Sequence, residues 1–459
     1  MLLYDTLSEQ KKELPKPPSG DIKLFVCGPT VYGDIHIGNA RTYLVFDTLV
    51  HYLRATGHKI FYLQNITDID DKIINRSKEA GLTPKALAKK YTRIYHRDEK
   101  KLGINMVTKY APATEYIKQI INQVKNLIDK GYAYKLDDGY YFDISKFKEY
   151  GKLAKRTALQ AEDGVSHIDD HVAKRNKGDF VLWKFSKSGE PSWKTHLGDG
   201  RPGWHIEDTA ITEHHFGPQY DWHGGGVDIK FPHHEAEITQ QESASGKKPL
   251  VRLWTHVGSL VVDGKKMSKS LGNIIMAHDF LEKHDARILR YIVLSHHYRS
   301  PLNYSKGLVV EAIKSLARIE EFLAKISLVI KNSGDVRFDV KPYEEKFVSA
   351  MNDDFNTPEA LAAIFILIND ANQNIWRFDR GSAENIGKWV FDKAAMLKLS
   401  LNVAKIPFKI RRLAKKRELF RHNEQFVQSD LLRKQIEQLG YTVEDTPLGQ
   451  LVLLAVPKD

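Results

Sequence analysis

The sequence predicts an α/β protein built on a Rossmann-like, doubly wound parallel sheet with an insertion, followed by an α-helical bundle and a small basic C-terminal domain. A strand-like apolar run at 22–27 leads into helical spacing at 39–56 and a second strand at 59–64, an order typical of a parallel sheet. Helical periodicity returns from Leu308. The 459 residues also exceed what one hydrophobic core usually holds.

The later elements follow from local patterns. Residues 70–130 are predicted to be mostly helical, and residues 132–150 to form a hairpin. Thr357 is predicted as a helix N-cap, with Pro358 in the first turn. We therefore predict a sheet domain in two halves, 1–130 and 201–260, separated by an insertion at 131–200. A region with a lysine-rich loop follows at 261–307, then a helical bundle at 308–400 and a basic domain at 401–459.

Composition restricts the classes of function. Lys and Arg (69) outnumber Asp and Glu (58), a net charge of +11, which suits a polyanionic partner such as RNA but also a generally basic protein. The single cysteine, Cys27, excludes an intrachain disulfide and suits a reducing compartment. No run approaches the roughly 20 apolar residues that span a bilayer. We expect a cytoplasmic protein without a membrane partner.

Two short motifs point to a nucleotide. His36, Gly38 and Asn39 fall where the first helix begins, and free amide groups at a helix N-terminus bind anions. The string 266–270 (KMSKS) lies between Gly264 and Gly272, as expected of a mobile loop whose lysines stabilise charge on leaving phosphates. Taken alone, the first motif is better explained as a turn histidine with a helix cap. The alternative for the second motif, a solvated basic turn, is disfavoured by the full string.

In this order and separation the two motifs resemble the paired signatures of class I aminoacyl-tRNA synthetases. Further strings narrow the resemblance to the cysteinyl-tRNA synthetase family, over nearly the whole chain. They are CGPTVY (27–32), NITDIDDK (65–72), GWHIE (203–207), HGGG (223–226), FPHHE (231–235) and DFNTP (354–358).

The resemblance implies a ligase that activates L-cysteine with ATP to cysteinyl-adenylate and then transfers it to the 3′-terminal adenosine of tRNA(Cys). The resemblance implies Mg²⁺ bound with ATP. It also implies catalytic roles for His36, Lys266 and Lys269. We expect the protein to be a monomer. The ATP-binding residues implied are His36, Gly38, Asn39, His223, Lys266 and Lys269. The cysteine-binding residues implied are Thr67, Trp204 and Asp228.

A metal centre is predicted from spacing and from the resemblance. His233 and Glu237 are four residues apart, and Cys27 ends the first strand of the sheet, so an ion with sulfur, nitrogen and oxygen ligands is chemically reasonable. The resembled family binds one zinc ion per subunit through two cysteines, a histidine and a glutamate. This chain has Asp208 where the second cysteine stands. We expect Asp208 to ligate in its place; the alternative is a weakened or three-ligand site.

The C-terminal end points to RNA. Residues 405–421 hold eight basic residues and one acidic residue, which resembles the family's small anticodon-binding domain, while the alternative is a solvated basic helix face. In the resembled enzymes the region 261–307 contacts the tRNA stem. Two other functions remain open: a ligase joining activated cysteine to an amino sugar, and a non-catalytic RNA-binding paralogue. The basic tail argues against the first, and His36, Lys266 and Lys269 argue against the second.

Overall fold

The computed structural model describes residues 1–17, 20–156, 171–268, 270–331, 334–402 and 406–455. The chain forms two compact units. The first comprises Met1–Ala286 and Tyr298–Tyr304, and the second comprises Arg287–His297 and Ser305–Asp459.

The described strands of the first unit are numbered in chain order: β1 Leu2–Asp5, β2 Gln10–Glu13, β3 Ile22–Val26, β4 Ile60–Ile66, β5 Lys109–Pro112, β6 Ala133–Leu136, β7 Gly139–Phe142, β8 Phe180–Phe185, β9 Gly200–Pro202, β10 Tyr220–Gly226, β11 Val251–Val257, β12 Leu260–Val262, β13 Lys265–Lys266 and β14 Leu302–Tyr304. Its described helices are α1 Ile37–Ala55, α2 Asp71–Glu79, α3 Pro84–Leu102, α4 Ile117–Asp129, α5 Ile206–Phe216, α6 Glu235–Ser245 and α7 Ala277–Lys283.

Five of these strands form a parallel sheet in the order β11-β10-β3-β4-β5. The chain begins this sheet at β3, adds β4 and β5 on one side, and later returns to add β10 and β11 on the other. The strand order therefore reverses between β3 and β10, which makes this edge a topological switch point. The predicted doubly wound parallel sheet is confirmed.

Helix α1 forms where the apolar spacing predicts it. Its five apolar residues at helical spacing are buried, namely Leu44, Val45, Leu49, Val50 and Leu53. The helix ends at Thr56, and Gly57 follows with a φ of +93°, a conformation that glycine adopts without steric strain.

Smaller sheets flank the parallel sheet. Strands β6 to β9 form an antiparallel sheet in sequence order. Strands β13, β12 and β14 form a mixed sheet, in which β12 pairs antiparallel with β13 and parallel with β14. The predicted hairpin at 132–150 is found as β6 and β7. The helical prediction for 70–130 omits strand β5, because its four residues join the sheet through pairing with β4, which is not local.

The second unit is mostly helical. Its described elements are α8 Ala286–Leu294, which begins at the last residue of the first unit, α9 Lys306–Val329, α10 Lys341–Asn352, α11 Thr357–Asn372, α12 Arg380–Met396, α13 Phe408–His422, α14 Phe426–Gln438, β15 Tyr441–Thr446 and β16 Gly449–Leu454. None of the described helices of the chain combines the length and apolarity needed to cross a membrane.

Two side chains of this unit differ from the sequence-based expectation. The N-cap of α11 is Asn356, which accepts from the Glu359 amide at 3.3 Å, whereas the Thr357 hydroxyl donates to the Leu294 carbonyl at 2.7 Å. A tertiary hydrogen bond therefore takes the threonine away from capping. Arg417, one of the eight basic residues, is buried and forms a two-pronged ion pair with Asp445, so it contributes to folding rather than to a free basic face.

Candidate metal centre and nucleotide-binding site

The candidate site lies at the carboxyl ends of the central strands. Cys27 directly follows β3, Thr67 follows β4, and Gly226 ends β10. In an open parallel sheet, ligands bind outside these ends at the topological switch point. The sheet therefore brings together residues that are 40 to 200 positions apart in the sequence.

The four predicted metal ligands meet in one buried cluster. Asp208 comes from α5, Glu237 from α6, and His233 from the turn that leads into α6. Each has a donor atom within 4.8 Å of the others and of Cys27 Sγ. Of the four residues, Cys27 is the most exposed, at 6%. Because all four are polar or ionisable and buried together, a cation at their centre would satisfy them.

Two separations within this cluster match those around a tetrahedral ion, and the two from His233 are shorter. Cys27 Sγ lies 3.4 Å from Asp208 Oδ2 and 3.7 Å from Glu237 Oε1. His233 Nε2 lies 2.9 Å from Asp208 Oδ2 and 3.1 Å from Glu237 Oε1. Ligands bound at 2.0–2.3 Å to a tetrahedral zinc ion are about 3.3–3.8 Å apart. Small side-chain adjustments would thus complete the coordination.

Asp208 is held in place by a residue that the sequence analysis did not single out. Its Oδ1 accepts a hydrogen bond from Asn65 Nδ2 at 2.6 Å, which leaves Oδ2 directed at Cys27 and His233. Partners of this kind orient metal-binding carboxylates and raise metal affinity. Asn65 stands in the string 65–72 that carried the family resemblance, and this was the available signal.

A second donor set shares two members with the first. His223 and His234 join Cys27 and Glu237, with donor atoms again within 4.8 Å of one another. Cys27 Sγ lies 3.1 Å from His234 Nε2 and 3.6 Å from His223 Nε2. His234 was not predicted, although its place beside His233 in the string 231–235 was a signal.

The structure places His223 inside this cluster. It lies on β10 between two sheet neighbours and is fully buried. Its Nδ1 lies 2.6 Å from the Tyr220 hydroxyl, and its ring stacks on Trp254 at a centroid distance of 4.2 Å. The expectation that His223 faces the nucleotide stays a prediction, and no described contact connects it with His36 or Lys266.

Burial sets the protonation of the cluster. Burial, with the neighbouring Glu237 and Asp208 carboxylates, raises the pKa of the Cys27 thiol well above its ordinary value. Burial and the Asp208 charge raise the pKa of Glu237 in the same way. Burial also lowers the pKa of His223 and of His234, which keeps both imidazoles neutral. Neutral imidazoles are ready to bind a metal, whereas the thiol and the carboxyl must first lose a proton.

The three residues predicted to bind cysteine contact different neighbours among the described residues. The Trp204 ring stacks on the His233 ring at 4.5 Å between centroids. The Thr67 hydroxyl donates to Glu207 Oε1, and Glu207 Oε2 is buried with no hydrogen-bond partner among the described residues. Asp228 is exposed and lies against Gly226, toward His36, whose pKa its charge influences.

The nucleotide motif forms the N-terminus of α1. His36 Nδ1 accepts from the Asn39 amide at 3.1 Å, and Asn39 Oδ1 accepts from the His36 amide at 3.2 Å, which is a reciprocal capping pair. Burial lowers the pKa of His36. Since Nδ1 is an acceptor, the proton of the neutral ring is on Nε2, which can donate to an anion.

The lysine-rich loop touches this N-terminus. A Cβ added at Gly38 would lie 2.7 Å from Met267 Cε, so only glycine permits this approach without a shift of the methionine. Lys266 is exposed at the end of β13, and Gly264 and Gly272 both have positive φ. Lys269 lies outside the described residues. The structure therefore brings Gly38 and Met267 of the two motifs into contact.

Comparisons with known proteins agree with this architecture. The family of tRNA synthetases class I (C) catalytic domains matches residues 15–314, and the DALR domain family matches residues 346–400. Among solved structures, methionyl-tRNA synthetase of Mycobacterium tuberculosis with methionyl-adenylate has a TM-score of 0.61 at 14% identity, covering 83% of this chain and 90% of that one. The LeuRS–tRNA–LeuAMS complex of Agrobacterium radiobacter K84 gives 0.60 at 11% identity, covering 84% of each. These two likenesses concern the fold alone.

Curated relatives match over almost their full length. A cysteine–tRNA ligase of Thermoplasma volcanium is 41% identical over 97% of this chain and 98% of its own. Those of Thermococcus gammatolerans and Caldicellulosiruptor saccharolyticus are each 39% identical, covering 97% and 98% of this chain. The chain therefore belongs to the cysteine–tRNA ligase family of class I aminoacyl-tRNA synthetases.

Proposed function

We propose that this chain ligates L-cysteine to tRNA(Cys) in two steps. The cysteine carboxylate attacks the α-phosphate of ATP, which gives cysteinyl-adenylate and pyrophosphate, and the 3′-terminal adenosine of the tRNA then takes the cysteinyl group. The observation that carries the proposal is the buried cluster of Cys27, Asp208, His233 and Glu237, beside the stacked ring of Trp204. This arrangement supports a metal next to the predicted amino-acid pocket, where a thiol can be recognised.

We propose zinc as the metal, held by Cys27, Asp208, His233 and Glu237. A bound zinc ion supplies a Lewis-acid position that accepts a thiolate, so it favours cysteine over serine and alanine. Asp208 keeps the negative charge of the ligand that it replaces but offers a harder oxygen atom. Thr67 and Glu207 lie beside the cluster, and the unpartnered Glu207 Oε2 is a suitable acceptor for the ammonium group of the amino acid.

At the nucleotide end, the chain's own groups orient and neutralise phosphates. The amides at the start of α1 and the Nε2 proton of His36 donate to phosphate oxygens. Lys266 and Lys269 neutralise charge that develops on the departing pyrophosphate, as this type of transfer mainly requires. Mg²⁺ accompanies ATP in this proposal. No side chain acts as a nucleophile, so positioning and electrostatics supply the rate.

The basic C-terminal region would bind the tRNA. Helix α13 carries exposed basic residues, namely Lys409, Arg411, Arg412, Lys415, Lys416 and Arg421. Phosphate contacts from such a face make binding salt-dependent. We propose 401–459 as the anticodon-binding domain, 308–400 as the bundle and 261–307 as the stem-contact region. The monomeric state and the cytoplasmic location stay predictions of the sequence.

Two measurements test the function. The first is cysteine-dependent exchange of pyrophosphate into ATP, with serine as the matched substrate control, and the second is charging of tRNA(Cys). We expect exchange with cysteine but not serine, followed by charging. Exchange without charging would favour the amino-sugar ligase, and the absence of both would favour the non-catalytic paralogue.

The metal assignment has its own test. Protein purified without added zinc is analysed for metal, and the Cys27→Ser variant is compared with the wild type. We expect the variant to lose metal, because the thiolate is common to both donor sets. Unchanged metal content in Cys27→Ser would contradict the assignment.

A further inference from the structure

A separate group of three candidate metal ligands lies in the first unit. Asp34 precedes α1, Asp98 lies in α3, and His278 lies in α7. One carboxylate oxygen from each aspartate and one ring nitrogen of the histidine lie within 4.8 Å of one another. This group, called the Asp34 cluster below, shares no residue with either donor set around Cys27.

Two buried atoms of the Asp34 cluster have no hydrogen-bond partner among the described residues, namely Asp98 Oδ2 and His278 Nδ1. Asp98 is 0% exposed, and its other oxygen, Oδ1, accepts from Arg97 Nε at 2.9 Å. His278 Nε2 lies 3.1 Å from Asp279 Oδ1. In each residue one polar atom is satisfied and the other is not.

The two unpartnered atoms cannot satisfy each other. In the neutral ring, the His278 Nε2 that faces the Asp279 carboxylate carries the proton, and Nδ1 presents a lone pair. Asp98 Oδ2 presents a lone pair as well. A buried polar atom without a partner costs about 1–3 kcal/mol, so each of these two acceptors calls for a cation or a proton. A carboxylate behind a histidine is also the usual arrangement for a metal-binding imidazole.

Backbone hydrogen bonds join the segments that carry Asp34 and His278 before any ion binds. The Ala277 amide donates to the Ile35 carbonyl at 2.8 Å, and the Ile37 amide donates to the Ile275 carbonyl at 3.0 Å. These bonds hold the residue after Asp34 to the residue before His278. A site that is already assembled spends little binding energy on ordering its ligands.

The local charge also suits a divalent cation. Asp34 and Asp98 contribute two negative charges, and Arg97, paired with Asp98 at 2.8 Å, contributes one positive charge. The Arg97 side chain is 50% exposed, so solvent screens it and it is free to turn away. The net charge that faces an ion therefore stays negative.

We propose that Asp34, Asp98 and His278 bind a divalent transition-metal cation through oxygen and nitrogen ligands. This cation is separate from the metal that we propose at Cys27, Asp208, His233 and Glu237. The cation joins the loop before His36 to the helix that follows the lysine-rich loop, and so ties together the segments that carry the two nucleotide motifs. This proposal does not depend on the proposed function.

Mn²⁺ is a suitable probe, because it accepts carboxylate and imidazole ligands and has little preference for thiolate. Its binding to the full-length protein is followed by electron paramagnetic resonance in a Glu237→Gln background, which lacks the carboxylate common to both donor sets around Cys27. Asp98→Asn and His278→Gln are then introduced separately. Glu99→Gln is the matched control, since Glu99 is a buried carboxyl one residue along α3 and outside the Asp34 cluster.

We expect saturable binding of one Mn²⁺ in the Glu237→Gln protein, at least tenfold weaker binding after either cluster substitution, and unchanged binding after Glu99→Gln. Circular dichroism checks that each variant is folded, and His278→Gln decides the outcome if Asp98→Asn does not fold. Absence of saturable Mn²⁺ binding, or equal affinity in the folded cluster variants, would overturn the proposal. In that case a water molecule or a proton bridges the two acceptors.

Discussion

The Asp208→Asn variant separates the two donor sets around Cys27. Asp208 Oδ1 accepts from Asn65 Nδ2 at 2.6 Å, so the amide oxygen of the variant takes that position. The amide NH2 group then faces Cys27 and His233, where the wild type has a carboxylate oxygen. An NH2 group offers no lone pair to a metal, although the shape and volume of the side chain are unchanged.

The magnitude follows from the number of ligands lost. Removing a partner that only orients a ligand lowers metal affinity about 10–100-fold. Loss of one of four direct ligands should exceed this, so we expect zinc affinity to fall more than about 100-fold, or about 2.7 kcal/mol. Competition with a chromophoric chelator measures the change. The Asp208→Cys variant, which restores the family's ligand, should bind zinc more tightly than the wild type.

The metal-free protein should respond in the opposite direction. Burial, together with the charge of the neighbouring Asp208, raises the pKa of the Glu237 carboxyl, so the charged forms of the two carboxyls repel each other. We expect metal-free Asp208→Asn to be more stable toward urea by about 0.5–2 kcal/mol.

An unchanged zinc affinity in Asp208→Asn would refute the reasoning. The His234→Gln variant then tests the second donor set, because His234 belongs to that set alone. If His234→Gln weakens zinc binding and Asp208→Asn does not, the metal lies between Cys27, His223, His234 and Glu237.

Three further changes test other parts of the chain. Gly38→Ala places a methyl group 2.7 Å from Met267 Cε, so the KM for ATP should rise in pyrophosphate exchange while the cysteine KM stays constant. Lys266→Ala should slow exchange about 10²–10³-fold, as does loss of one charge-stabilising donor, and a near wild-type rate would remove Lys266 from catalysis. Asp445→Asn removes the charge that pairs with the buried Arg417 and should destabilise residues 408–454 by about 1.5–3 kcal/mol, seen as faster hydrogen exchange there but not in α1. Hydrogen bonds from Arg417 lower the pKa of Asp445. This stabilisation is therefore present above the ordinary pKa range of a carboxyl group and is lost as the pH falls through the lowered pKa. A stability of residues 408–454 that does not change in acid would contradict this.

Local sequence determined the elements that carry the site. Apolar spacing placed α1, β3 and β4, and the i, i+4 pair of His233 and Glu237 is set by the start of one helix. Cys27 was expected at a strand end for the same local reason. The family resemblance, rather than any spacing, brought Asp208 into the expected ligand set.

Tertiary structure decided which side chains face one another. Asp208 and Cys27 are 181 positions apart, and Cys27 and His234 are 207 apart, so no local pattern connects them. The same is true of the Asp34 cluster, whose members come from a loop and two helices. Tertiary contacts also changed the roles of two residues. Thr357 hydrogen-bonds the Leu294 carbonyl instead of capping its helix, and Arg417 pairs with Asp445 instead of lying on the basic face. Periodicity and capping depend on neighbours within a few positions, whereas ligand sets and buried pairs depend on strand order, which only the folded chain establishes.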